Sequence, residues 1–452
     1  MYDLCIMNGK IITHKESFLG TLCIKDGVIA EILPPSESSV SKNTIDATGK
    51  LLFPGAIDCH SHFQVPGYTY RENFATGSRA AAVGGITTVI DMPLNNEPAI
   101  ITPEAFALKK QLVEGQSYVD YAFWGGLVDD NLNQIKALYD IGAIALKGFL
   151  SPVKEGDFVT LKLEQLVQAM TITEPLGIPI GLHCENYELL HDGKLHSVAE
   201  NRNTVDDFLS VHSPYAEYLA VKNAVDACRK TGARLHICHV SHPDAAELVR
   251  EAQRQGFPVT AETCPHYLGF TNEMLYQKGS LAKCTPPLRS QQEVDRLWKY
   301  LIDGTLSCIG SDHSPAAPEE KDDSRLTIWE SWGGLNSIQF LMPYFYHLAV
   351  NKRNLPVNLV AEKLSFQPAK LFGLKNKGQL AVGYDADIVI FDPEQEWTAS
   401  EEWLYTLHKV SIFMGVTGKG WPSHTLLRGE ITAQNRNYHK SACGKGKFIP
   451  ND

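Results

Sequence analysis

The sequence predicts an α/β protein: a (β/α)8 TIM-like barrel carrying a small β-sandwich domain built from both chain ends. Three observations predict it. From about Pro54 to Phe372, a continuously apolar run, a polar loop and an amphipathic helical stretch recur at intervals of roughly 25 to 50 residues. About eight such units occupy about 320 residues, the content of a barrel with insertions. Both ends have a different texture: the first fifty residues are short β-like runs broken by NG, DG and TG turns at hairpin spacing, and similar β texture returns at the far end. Residues 1–53 and 373–452 are therefore assigned to the small β domain and 54–372 to the barrel. A doubly wound sheet is the structural alternative.

Taken in order, "DLCIMNGKIIT", "GTLCIKDGVIAEILP" and "NTIDATGKLLFPG" read as the first strands and hairpins. The entry "GAIDCHSH" opens the barrel. It is followed by "GITTVIDMP", "YAFWGGLV", "AIALKGFL", "IPIGLHCEN", "RLHICHVS", "FPVTAETCPH" and "LSCIGSDHSP". These runs are apolar throughout, as strands buried on both faces are. The β texture returns in "GQLAVGYDADIVIFDP" and "HTLLRGEITA".

Composition narrows the function. The 452 residues are 44% hydrophobic and 21% charged, ordinary for a globular enzyme. The net charge is -11, from 52 acidic against 41 basic residues, with no Lys/Arg run, so nucleic acid is not an expected partner. The first residues lack the basic and apolar regions of a signal peptide. No apolar run approaches the roughly 18 residues of a membrane span. Ten scattered cysteines with no CxxC pair read as reduced thiols in the cytoplasm.

Almost every barrel run ends in a side chain able to bind metal. His60 and His62 are two apart at the end of the first, on one face if that run is a strand. Lys147, His183, His239 and Asp312 follow at later strand ends. In a barrel these positions share the C-terminal rim, where active sites of this fold are built. Histidine nitrogen with carboxylate oxygen suits zinc and similar divalent ions rather than calcium. More than four candidate ligands over-supply one zinc, so a two-metal centre is the natural reading. An ammonium on Lys147 would be repelled by two cations unless the amine is chemically changed, as carbamylation does. His236, His242, His266 and His313 flank these positions and read as packing or support.

The order HxH, K, H, H, D on successive strands resembles the cyclic amidohydrolases: dihydroorotases, hydantoinases (dihydropyrimidinases) and allantoinases. The resemblance spans essentially the whole chain, including "PGAIDCHSH", "GGITTVIDMP" and "GQLAVGYDADIVIFD". It implies that His60 and His62 hold the more buried metal and that N6-carboxylated Lys147 bridges both. His183 and His239 then hold the second metal, while Asp312 ligates the first and shuttles the proton as the catalytic residue. It also implies two divalent ions (Zn2+, with Co2+, Mn2+ or Fe2+ as alternatives) and a homo-oligomer, tetramer or dimer.

Among the branches, "DMPLNNEP", "HCEN", "ETCPHY", "KCTPPLR", "SDHSP" and "WGGL" are similar to allantoinase wording. Dihydroorotases place an arginine two residues after HxH to grip a carboxylate, whereas this chain has Gln64 there. The expected activity is opening of allantoin to allantoate, a step of purine nitrogen salvage, with hydantoinase or dihydropyrimidinase as the alternative. Gln64, Asn95, Thr285 and Ser314 are the expected contacts to the cyclic ureide or amide substrate. The chain departs from the allantoinase pattern at Val65 and at Arg71, Glu72 and Asn73. Relatives that have lost the metal ligands serve as scaffolds; here all the ligand positions are present.

Overall fold

A computed structural model describes residues 1–35, 40–156 and 158–451. The barrel is an eight-stranded parallel sheet in sequential order. Its strands are β1 (Ala56–Ser61), β2 (Ile86–Asp91), β3 (Asp120–Gly126) and β4 (Ala145–Phe149), then β5 (Ile180–His183), β6 (Leu235–Ile237), β7 (Val259–Thr263) and β8 (Cys308–Ile309). Every residue of β1, β2 and β3 is buried, which accounts for their lack of polar/apolar alternation. Register runs directly from strand to strand, with Lys147 of β4 opposite Gly126 of β3 and Gly181 of β5.

The ring closes between β8 and β1 through side chains and a bridge rather than a ladder. Ser61 bridges His313, and the His62 N–H donates to the His313 carbonyl at 2.8 Å. Below that, Asp58 accepts from the Ser311 N–H at 2.8 Å and from its hydroxyl at 2.5 Å. Burial pushes the Asp58 carboxyl up to about 7, against the pull of those Ser311 hydrogen bonds.

Helices pack outside, and their ends are written in the sequence. Ser213 caps the helix Pro214–Thr231, which has proline in its first turn and ends at Gly232 with a φ of 74°. Ser290 and Glu293 form a capping box at the start of Gln291–Ile302.

Both chain ends build one nine-stranded sheet, as their β texture predicts. Leu51–Pro54 pairs with Ile388–Thr398, joining the N-terminal strands to those that follow the barrel. The sheet curls back on itself. The Ile29 N–H donates to Tyr384 and the Ala386 N–H to Gly27, and a shared core unites Leu4, Ile24 and Leu52 with Ile388 and Leu426. Beyond that sheet, Phe448 bridges Tyr121 of β3, so the last segment lies along the barrel. Nine of the ten cysteines are buried.

Candidate metal centre

The barrel brings His60, His62, His183, His239 and Asp312 to one cavity of about 700 Å³ at the C-terminal rim. Each lies at or just past a strand end. Asp312 and His239 leave their strands with φ of 45° and 37°, a left-handed backbone that L-residues rarely take and that functional sites tend to hold.

The donor atoms fall into two sets. In the first, Nε2 of His60 and Nε2 of His62 lie 3.2 and 3.4 Å from Oδ1 of Asp312. In the second, Nδ1 of His183 and Nε2 of His239 are 3.2 Å apart. Two donors each about 2.0–2.1 Å from one tetrahedral zinc are necessarily about 3.3 Å apart, so both sets have single-ion spacing. Lys147 is fully buried, and among the described residues its Nζ meets no oxygen or nitrogen acceptor. Its charge nevertheless acts on both His60 and His239, one from each set. A buried amine without an acceptor is costly, whereas a carboxylated Lys147 reaching both sets would be satisfied. The donor set therefore fits two divalent ions.

Carboxylates that the sequence reading overlooked aim these ligands. Glu262, at the inner end of β7, accepts from Nδ1 of His60 and, at 3.3 Å, from the His239 N–H. His236 Nε2 lies 3.3 Å from its other oxygen, and the Cys59 thiol donates to that oxygen at 3.0 Å. Burial alone would raise the Glu262 carboxyl, but His60 and His236 hold it well below the usual range. Glu185 does the same for the second set, accepting from Nε2 of His183 at 2.9 Å. A carboxylate within the predicted strand run "FPVTAETCPH" was the available signal for Glu262, since buried charge demands a partner. Gly310 lets β8 pass close by; a Cβ there would sit 2.9 Å from that of His60.

Charge in the centre is set by this packing. Burial opposes ionisation of Asp312, yet His60, His62 and His239 pull its carboxyl well below the ordinary value. Burial, then Lys147 and His183, drive His239 well below the usual imidazole range, leaving it neutral as a ligand must be. His266 is buried with neither ring nitrogen bonded among the described residues, and burial lowers it to about 4.

Of the expected substrate contacts, Asn95, Thr285 and Ser314 line the cavity. Gln64 does not, which corrects that expectation. Its φ of 60° turns the side chain so that Nε2 donates to the Pro315 carbonyl at 2.8 Å, bracing the loop after Asp312. The wall is completed by Arg71, from the loop that departs from the allantoinase pattern, and by residues not expected there, among them Phe149, Tyr68, Lys194, His212 and Trp332. Arg71 forms a bidentate pair with Glu320, Nε donating to Oε2 at 3.0 Å and Nη2 to Oε1 at 2.6 Å, and lies 4.0 Å over the Trp332 ring. A larger, mostly apolar cavity of about 810 Å³ opens on the outer side of the 150–163 segment, but none of the candidate ligands reaches it.

Comparison with known proteins agrees with this geometry. The chain is 35% identical to an allantoinase of Salmonella choleraesuis (strain SC-B67) over 434 residues, covering 95% of each protein. It is 34% identical, with the same coverage, to an allantoinase of Salmonella newport (strain SL254). Among solved structures, an L-hydantoinase (dihydropyrimidinase) from Arthrobacter aurescens superposes with a TM-score of 0.96 at 31% identity, covering 100% of both chains. A dihydropyrimidinase from Brevibacillus agri NCHU1002 gives 0.92 at 28% identity, covering 99% of this chain and 98% of that one. Residues 51–432 match the amidohydrolase family, and with barrel, rim and donor sets in agreement, the chain is a hydrolase belonging to that family.

Proposed function

We propose that this protein opens the ring of a cyclic amide at a two-metal centre, with allantoin as substrate and allantoate as product. The observation that carries the reading is the pair of donor sets at single-ion spacing with the Lys147 amine, which meets no oxygen or nitrogen acceptor among the described residues, acting on both. His60, His62 and Asp312 would hold one ion, His183 and His239 the other, and carboxylated Lys147 would bridge them. Zinc suits these ligands, with cobalt, manganese or iron(II) as alternatives. Bound there, the ions supply Lewis acidity and bring the pKa of water from 15.7 to about 7.

The protein's own residues do the rest. Asp312, held ionised and only 13% exposed at the cavity floor, is placed to take a proton from the attacking water. It then delivers that proton to the departing ring nitrogen. Asn95, Thr285 and Ser314 face the ring and orient its polar edge. Arg71 is engaged by Glu320 and Trp332, so this wall favours a neutral ureide over a substrate carboxylate such as that of dihydroorotate.

The sequence relatives favour allantoin. Opening of hydantoins or dihydropyrimidines is the second reading, supported by the TM-score of 0.96 to an L-hydantoinase. Among the described residues no helix is long and apolar enough to cross a membrane, in keeping with a cytoplasmic enzyme. The resemblance to cyclic amidohydrolases supports a homo-oligomer, a dimer or tetramer that light scattering would resolve.

The deciding experiment is a ring-opening assay of the metal-loaded protein on allantoin, dihydrouracil, hydantoin and dihydroorotate, beside Lys147→Ala. Turnover of allantoin above the others, abolished in the variant, is the expected result. Preference for dihydrouracil or hydantoin would transfer the assignment to the second reading. No turnover of any ring by protein carrying two ions would refute both.

A further inference from the structure

We propose that His212, a residue of the cavity wall, is a positioning residue that acts through Glu185 on His183 and sets how tightly the second metal ion is held. The inference builds on the two-metal reading above. Glu185 is fully buried and divides its two oxygens between two imidazoles. Oε2 accepts from Nε2 of His183 at 2.9 Å and Oε1 from Nδ1 of His212 at 2.8 Å. A proton on Nε2 of His183 leaves the lone pair of Nδ1 facing His239, the tautomer a metal ligand needs. The ring is fixed from its face as well, stacked on Phe149 at 4.7 Å with 9° between planes.

His212 is itself held independently of its imidazole. It follows the helix Val205–Val211 and precedes Ser213, the N-cap of Pro214–Thr231, and its carbonyl accepts from Arg289 at 2.7 Å. The ring packs on Phe208 at 4.4 Å and reaches the cavity beside Lys194 and Leu190. Each metal position has one imidazole aimed by one carboxylate, His60 by Glu262 and His183 by Glu185, while Nδ1 of His62 and of His239 has no hydrogen bond among the described residues. In the second set, ring orientation by a side-chain carboxylate therefore comes from Glu185 alone. Glu185 in turn has the His212 donor as its second imidazole partner. Loss of that donor frees the carboxylate to turn away from His183.

The test is a Co2+ titration of chelator-stripped, full-length protein, following visible absorbance and, after dialysis, metal content per chain. Wild type should take up two ions. His212→Ala should retain the first ion unchanged and bind the second about 10–100-fold more weakly, the usual effect of removing such support. His212→Asn, whose amide nitrogen can replace Nδ1 as donor, should recover most of that loss. Unchanged binding of the second ion in His212→Ala, or equal loss of both ions, would overturn the inference while leaving the two-metal reading standing. Uptake of fewer than two ions by wild type would overturn that reading itself, and the inference with it.

Discussion

Lys377 and Asp120 form a buried ion pair, 2.6 Å from Nζ to Oδ2, across the junction between the barrel and the sheet of the chain ends. Asp120 opens β3, while Lys377 also meets Asp387 at 2.6 Å and Asp385 at 2.8 Å, just before the strand Ile388–Thr398. Arg428 adds a second cation to Asp120. Burial opposes the Lys377 charge, but the carboxylates outweigh it and raise its pKa. Lys377→Met leaves Asp385 and Asp387 without their ion-pair cation while Arg428 still serves Asp120, so the folded state should lose about 3–5 kcal/mol. A denaturant melt reads the loss; an unchanged midpoint would show that the junction is held by packing instead.

Glu262 supports the first metal position as Glu185 supports the second. Glu262→Gln keeps the shape but puts an amide donor where His60 and His236 converge. Metal affinity or turnover should fall about 10–100-fold, with the first ion lost preferentially. Metal analysis after dialysis checks this, and full retention of both ions would contradict it.

Gln64 separates bracing from binding. Gln64→Ala removes the donor to the Pro315 carbonyl in a buried setting, which should cost about 1–3 kcal/mol of stability and leave KM near that of wild type. Asn95→Ala, on the cavity wall, should instead raise KM. Exchanged phenotypes would return Gln64 to the substrate.

Stability should rise with alkalinity because of two lysines. Burial pushes Lys283 and Lys321 down to about 7, against about 10.4 in an unfolded chain. Between those values the unfolded state binds more protons than the folded one, so unfolding becomes harder as pH increases. Below about 7 both states are protonated and this contribution stays at its least favourable. Denaturant midpoints at pH 7 and 9 should differ in that sense, and Lys321→Met should flatten the difference. A midpoint that falls from pH 7 to 9 in wild type but not in the variant would reverse the sign.

The barrel and its rim were legible because the chemistry repeats with the strands: apolar runs end in His60, Lys147, His183, His239 and Asp312, and the fold gathers strand ends by topology alone. Glu262 and Glu185 were not legible as supports. A carboxylate at the end of a strand looks like an ordinary terminus until its partner is known, and the His60 partner of Glu262 is 202 residues away. Gln64 was misplaced because it was located by the position of the dihydroorotase arginine, two residues after HxH, and that position does not reveal that its amide braces the Pro315 carbonyl. The course of the final segment beside Tyr121 had no local signal, since a single long-range bridge carries no periodicity.

The sheet shared by the two chain ends also sets a timetable for synthesis. Lys50 and Asp392, 342 residues apart, are joined at its centre. At about 5–20 residues per second, the ribosome needs roughly 20–70 s to deliver the second after the first. Throughout that interval Leu51–Pro54 lacks Ile388–Thr398, the neighbour that covers its edge. The barrel therefore emerges with an unfinished sheet where the chain enters it, and that unpaired edge stays open to other chains until the last strands arrive.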